Sequence, residues 1–242
     1  MPFLDSVARR KRFLYRYIKY HVLRPPVPEQ KALLRGKTAV VVGSAPGSHR
    51  PVGWNESFRV ITVNASQVAA ADWLSDVPDI TLMQFNQIEG ENPSALEVRR
   101  VLRGRRTGSL ILINWRHDLQ RLKNGLARFD YGYDRLLTMS RYERIALMER
   151  CLGKLNLELD ASTKWSNGVV GVALALQSGA RRVILTGIDP CSAGHGYNDL
   201  RMTRLHATTD LEALTLLRDA GLPIFTADPA VSERTGLALW AG

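Results

Sequence analysis

Four short apolar runs constrain this chain more than any other feature. Thr38 to Gly43, Arg59 to Asn64, Asp79 to Phe85 and Ser109 to Asn114 are mostly Val, Ile, Leu and Ala, without strict polar alternation. A strand that is apolar on both sides is buried on both faces, as in a parallel sheet covered by helices. Helical stretches separate the runs: Ala65 to Leu74, and a second one capped by Ser94 and reaching about Arg103. Beyond residue 139 the alternation resumes. Ser140 and Glu143 have the spacing of a capping box before the helix Arg141–Leu152, which Gly153 ends. Leu155–Leu159 reads as a short strand. Ser166 or Asn167 opens an entirely apolar helix, Val169–Gln177, with Gly179 as its stop. A strand follows at Arg182–Gly187. Thr209 and Glu212 repeat the capping-box spacing before a helix at Asp210–Ala220, and Pro223–Thr226 is the last strand. This pattern predicts an α/β fold with one mainly parallel, doubly wound, Rossmann-like sheet.

Two segments fall outside the pattern. Residues 115–139 mix Trp115, Arg116, His117, Phe129, Tyr131 and Tyr133 with no steady period, as expected of a lid, a binding loop or a connection hiding a short helix. The other is the N-terminus. Phe3, Leu4, Val7, Leu14, Tyr17, Ile18 and His21 recur at roughly helical spacing, and Pro25, Pro26 and Pro28 end the segment. Seven Lys and Arg residues stand there against Asp5 alone, so more than half of the chain's net charge of +10 sits in residues 1–24. The domain division is therefore 1–28, a basic amphipathic helix with a proline-rich linker, and 29–242, the α/β body. Aromatic residues beside a basic face suit an anionic membrane surface, and packing on the body or on a second subunit is the other reading. With the charge concentrated in one helix, no nucleic-acid groove is needed to account for it. No run of apolar residues is long enough to span a bilayer. The two cysteines, Cys151 and Cys191, do not suggest a disulfide framework, which favours a cytoplasmic setting. With the helix on lipid, the location would be peripheral, on the inner face of the membrane.

Candidate site residues gather at element ends, where an open α/β sheet places its ligands. Gly43-Ser44-Ala45-Pro46-Gly47 follows the first strand, and glycine there lets backbone N–H groups approach a phosphate or ribose. It matches neither GxGxxG nor GxxxxGK[ST], and a plain structural turn explains it equally well. Asn64 ends the second strand, able either to bind a nucleotide or to cap the next helix. Ser166-Asn167-Gly168 opens a helix whose free N–H groups suit a phosphate. Gly187 and Asp189 close a strand. His206, just before a helix, has the chemistry of a general base near neutral pH. Metal ligation finds little support, because His195 and His206 lack companions and Asp76/Asp79 is DxxD, not DxD.

Taken together and in order, these motifs resemble the bacterial sialyltransferases of glycosyltransferase family 42 and related GT-A-like proteins, over residues 38–64 and 164–230. The family's Gly-Asn-Gly-Pro-Ser turn is similar to residues 43–47, and its strand-ending Asn to Asn64. Its Thr-Ser-Gly-Val helix start is similar to Ser166 to Val169, and its Ser-Gly-Ile-Asp strand end to Thr186 to Asp189. Its catalytic histidine stands in a His-x-x-Thr-Asp-x-x-Ala-Leu setting like that of His206. The resemblance implies a metal-independent, inverting transferase that needs no cofactor and uses a CMP-activated, sialic-acid-like sugar. It also implies His206 as base and Tyr197 as one of the two tyrosines that assist the leaving phosphate. Cys191 stands where the second is expected. The acceptor would be a glycolipid, another lipid-linked sugar or a surface polysaccharide. Two other classes fit the same residues: an ATP- and Mg²⁺-dependent diphosphokinase of the pterin-diphosphate-forming type, and a non-catalytic nucleotide-binding scaffold. The sequence leaves a homo-oligomer open.

Overall fold

Ala39, Val40, Val41 and Val42 are all fully buried, so the strand they form has no exposed face. The computed structural model describes residues 2–74, 77–192 and 206–242. Its strands are β1 (Thr38–Val42), β2 (Arg59–Val63), β3 (Ile80–Gln84), β4 (Arg106–Ile113), β5 (Gly132–Met139), β6 (Arg182–Thr186), β7 (Ile224–Thr226) and β8 (Ala238–Leu239). They make one eight-stranded sheet in the order β5-β4-β3-β2-β1-β6-β7-β8. Every neighbouring pair is parallel. From β1 the chain builds outward to β5, returns, and adds β6 to β8 on the other side of β1. The point where its direction reverses therefore lies between β1 and β6. In open sheets that is where ligands bind, at the carboxyl ends of the strands.

The helices are α1 (Pro2–Leu23), α2 (Lys31–Leu34), α3 (Ser66–Ala69), α4 (Asn86–Glu89), α5 (Pro93–Leu102), α6 (Leu119–Phe129), α7 (Arg141–Leu152), α8 (Asn167–Gln177), α9 (Ala207–Asp219) and α10 (Pro229–Thr235). One face of the sheet, through Ala39, Val41, Ile61 and Leu82, packs on α7, α8 and α9. The opposite face divides in two. Met83, Leu110 and Leu112 meet the side chains of α5 and α6, while Val40, Val42 and Ile184 meet an aromatic group that includes Trp54, Phe58 and Trp240. The continuous apolar strands are explained by this covering of both faces.

Several expectations are corrected. Of the alternatives for residues 115–139, the hidden short helix is present as α6, and the edge strand β5 that follows it was not expected. Capping by Asp118, whose carboxylate accepts from the Arg121 N–H at 2.8 Å, starts that helix. Asn92 caps α5, not Ser94. The helix expected at 65–74 is a single turn, continued by hydrogen-bonded turns to Leu74. Leu155–Leu159 forms no strand: the Asn156 side chain accepts from the Glu158 N–H at 2.8 Å and Glu158 has φ +51°. Such a local side-chain bond and left-handed residue take the backbone out of sheet pairing. The Ser140–Glu143 capping box is present. The one expected at Thr209 is not, because α9 starts at Ala207, three residues before the expected Asp210, and the Thr209 hydroxyl donates to the Ser162 carbonyl at 2.7 Å.

The N-terminal helix lies on the body. Arg9 and Arg12 pair with Asp160 at 3.2 and 3.4 Å. Arg16 donates to the carbonyls of Leu157 and Glu158, and the Tyr20 hydroxyl bonds Glu149. This uses much of the basic side, leaving Leu14, Ile18 and Val22 exposed, at 57, 52 and 74 %. No helix among the described residues is long and apolar enough to cross a membrane.

Candidate functional site

A cavity of about 390 Å³ opens at the carboxyl ends of β1, β2, β3, β4 and β6. Its back is the close approach of two strand ends. A Cβ at Gly43 would come within 2.2 Å of the Gly187 carbonyl oxygen, and Gly187 itself has φ +62°. Only glycine fits both positions. The Ala45 N–H donates to the Gly187 carbonyl at 2.8 Å and fixes the turn across the strand boundary.

Nine of the residues singled out from sequence line this cavity: Gly43, Ser44, Ala45, Asn64, Ser166, Asn167, Gly168, Gly187 and His206. Pro46, Gly47 and Asp189 do not. Asp189 turns elsewhere, accepting from Arg234 at 2.6 Å and from the Cys191 N–H at 2.8 Å. Tyr197, with His195, Arg201 and Arg204, lies outside the described residues. Cys191 is exposed.

Sequence reading missed much of the wall. Gln84, Asn86, Gln87 and Asn114 join Asn64 and Asn167 in a lining rich in amides. Asn114 mirrors Asn64. Each follows a strand and is left-handed, at φ +64° and +48°, a conformation Asn tolerates better than most residues. The Asn64 side-chain oxygen accepts from the Gln84 N–H at 3.0 Å and lies 3.5 Å from the Asn167 amide nitrogen. Asparagine at the ends of successive apolar runs was the available signal, and only its first instance was used.

Among the described lining residues the charged ones are Arg144 and Lys164, and none is a carboxylate. Arg144 is buried and paired with the equally buried Glu158. Burial lowers the Lys164 pKa, opposed by Glu158 and reinforced by Arg141, Arg144 and Arg16. His206 is held below its ordinary value, first by burial. Asp210 and the Lys164 backbone oppose that shift, while the charges of Lys164 and Arg144 add to it. Asp210 is fully buried and accepts from the Ser166 N–H at 2.8 Å, tying the start of α9 to that of α8. The Ser166 hydroxyl caps α8 by accepting from Val169 at 3.4 Å.

Four polar atoms of this wall are buried without a partner among the described residues: Gln87 Oε1, Asn114 Oδ1, Arg144 Nε and His206 Nδ1. Each such atom costs about 1–3 kcal/mol if nothing satisfies it. Their grouping around one cavity marks it as a place where a polar ligand or ordered water completes the hydrogen bonding.

A parallel sheet with its cavity at the reversal point, lined by a helix start and strand-ending amides, is an α/β fold of GT-A-like form. Solved structures of that form are similar over most of their length. The chain aligns with sialyltransferase CstII from Campylobacter jejuni in complex with CMP-3FNeuAc at 15 % identity and a TM-score of 0.53, covering 84 % of this chain and 86 % of that one. The same enzyme with a trisaccharide acceptor and CMP gives 15 %, 0.54, and 84 and 87 % coverage. The monofunctional alpha-2,3-sialyltransferase Cst-I of that organism gives 13 %, 0.56, and 89 and 82 %. No family model matches the chain, and no curated sequence does. The likeness is one of fold.

Proposed function

We propose that the protein is a glycosyltransferase using a CMP-activated, sialic-acid-like sugar, with His206 as general base. The carrying observation is the cavity: amides, a helix start and two cations, with four buried polar atoms awaiting partners. Amides offer donor and acceptor to a nucleobase and ribose. The start of α8, with Lys164 beside it, supplies positive potential for the phosphate. His206, disfavoured as a cation by burial, is ready to accept a proton, and Nδ1 is its nitrogen without a partner among the described residues. In the reaction an acceptor hydroxyl attacks the anomeric carbon and its proton passes to His206. The bond from that carbon to the phosphate oxygen breaks, and CMP leaves from the opposite face, which inverts the centre. Lys164 balances the charge developing on the departing phosphate. The similar sialyltransferase structures in complex with CMP-3FNeuAc and with CMP support this reading. The diphosphokinase alternative needs carboxylates to hold Mg²⁺ at the phosphates, and Asp189, its candidate, is committed to Arg234.

The proposal extends to location. The outward stripe Leu14, Ile18 and Val22, with Arg10, Lys11 and Lys19 on the same helix, suits the inner, anionic face of a membrane and an acceptor carried on lipid.

Thermal shift tests the nucleotide. CMP without metal should stabilise the protein, and stabilisation by ATP with Mg²⁺ alone would refute the transferase reading. In a turnover assay, His206→Ala should lower kcat about 10²–10⁴-fold while keeping the CMP shift. Wild-type turnover in that variant would remove His206 from the mechanism, and CMP binding with no transfer would leave a silent binding protein.

A further inference from the structure

A second cavity, about 440 Å³, runs between α1 and the segment joining α7 to α8, with α9 as its far wall. Its lining is mainly hydrocarbon, from Phe13 and Tyr17 on α1, Leu155, Leu157 and Leu159 on the connecting segment, and Leu216 on α9. Nothing in the cytidine chemistry uses it. Three features say what it could hold.

First, it adjoins the amide-lined cavity. Trp165, buried to 4 % exposure, contributes to both walls. Second, it passes within a helical turn of His206, which itself lines the amide-rich cavity. Thr209, on its lining, is three residues after His206 and so lies one helical turn away. A molecule seated in the groove would have its polar end delivered to the group that removes the acceptor proton. Third, the described lining residues carry one surplus positive charge: Lys154 is ion-paired with Glu212, while Arg9 shares Asp160 with Arg12. A hydrocarbon groove with one surplus positive charge complements an apolar chain that bears an anionic group.

We infer that this groove holds the hydrocarbon chain of a lipid-linked acceptor, with Trp165 dividing the acceptor's tail from the donor's cavity. The assignment to an acceptor rests on the transferase reading, whereas the groove's affinity for a hydrocarbon chain does not. A chain held there would also explain why α1 binds the body through its arginines: the helix forms one wall of the groove while its apolar stripe stays outward.

The probe is 12-bromododecanoic acid, a heavy-atom quencher of indole fluorescence, added below its micelle-forming concentration to the full-length protein. Quenching should saturate, and Trp165→Phe should remove most of it. Leu155→Glu and Leu216→Glu should each weaken the probe's affinity at least tenfold, with Leu216→Met unchanged. A cooperative thermal unfolding transition in all four variants shows that they fold, and the CMP shift should persist in the three leucine variants. Absence of saturable quenching, or unaltered affinity in both folded glutamate variants, would overturn the groove. Saturable quenching in a protein that CMP does not stabilise would instead refute the assignment of the chain to an acceptor.

Discussion

His206 combines two opposing influences, and the balance sets a pH profile. Burial favours its neutral form, while Asp210 and the Lys164 backbone favour the charged one, with burial the larger. A base acts when unprotonated, so turnover should be full above the ordinary histidine pKa of about 6.5. It should fall only as pH drops through the lower folded value. A pH series of kcat/KM with saturating donor would show this acid limb, and Asp210→Asn, which removes the opposing charge, should move it further down. An acid limb centred above 6.5 would contradict the geometry. Gly43 is a second residue whose role can be isolated. A methyl group there would meet the Gly187 carbonyl at 2.2 Å, an oxygen fixed by backbone pairing. Gly43→Ala should therefore cost at least about 1–3 kcal/mol, the usual range for overpacking, read as a lower urea midpoint. An unchanged midpoint would mean that the two strand ends separate freely.

At the level of elements, the buried Arg144–Glu158 pair joins α7 to the segment before α8, and Arg16 of α1 adds two bonds to carbonyls of that segment. Removing one partner leaves a buried charge uncompensated, at about 3–5 kcal/mol. Arg144→Met should show a loss of that size by chemical denaturation. The double variant with Glu158→Leu should recover most of it, and equal losses in the single and double variants would argue against a coupled pair. Elements of this sort also show what the sequence could and could not reveal. The four apolar runs, Gly153 and the Ser140–Glu143 box were legible because each expresses a local rule that the fold does not override. Residues 115–139 were legible only in part: α6 buries Leu122, Leu126 and Phe129 at helical spacing, as a hidden helix would, whereas β5 is an edge strand whose half-exposed residues lack the buried pattern of the central strands. Arg144 and Lys164 were missed for another reason. They reach the cavity from separate elements, and only the sheet order brings them together. Glu158 looked like part of a strand, and only its pairing with Arg144 explains its burial.

The whole molecule places two apolar features, the groove and the outer stripe of α1, on the same helix, and places the cations of that helix between body and surroundings. If α1 rests on lipid as proposed, vesicle binding should have two components. Deleting residues 1–24 should abolish sedimentation with anionic vesicles, and Leu14→Gln with Ile18→Gln should weaken it even at low salt. Raising ionic strength should weaken the wild type progressively, since exposed charges are screened over about 10 Å at 0.1 M salt. Binding unaffected by any of these changes would sink the membrane assignment. The nine residues identified from sequence that line the amide-rich cavity belong to this scale as well. They lie far apart in the chain, and the reversal of strand order between β1 and β6 accounts for their convergence.

The bond from the Ser166 N–H to Asp210, with that from Thr209 to the Ser162 carbonyl, has a practical meaning for protein engineering. Both anchors lie C-terminal to His206 and fasten its helix to an element that precedes β6. The position of the base is thus indexed to the start of α8 and does not depend on the length of chain between β6 and α9. If His206 is the base as proposed, changing the number of residues between β6 and α9 should leave the acid limb of the pH profile in place, whereas Thr209→Val with Asp210→Asn should disturb it.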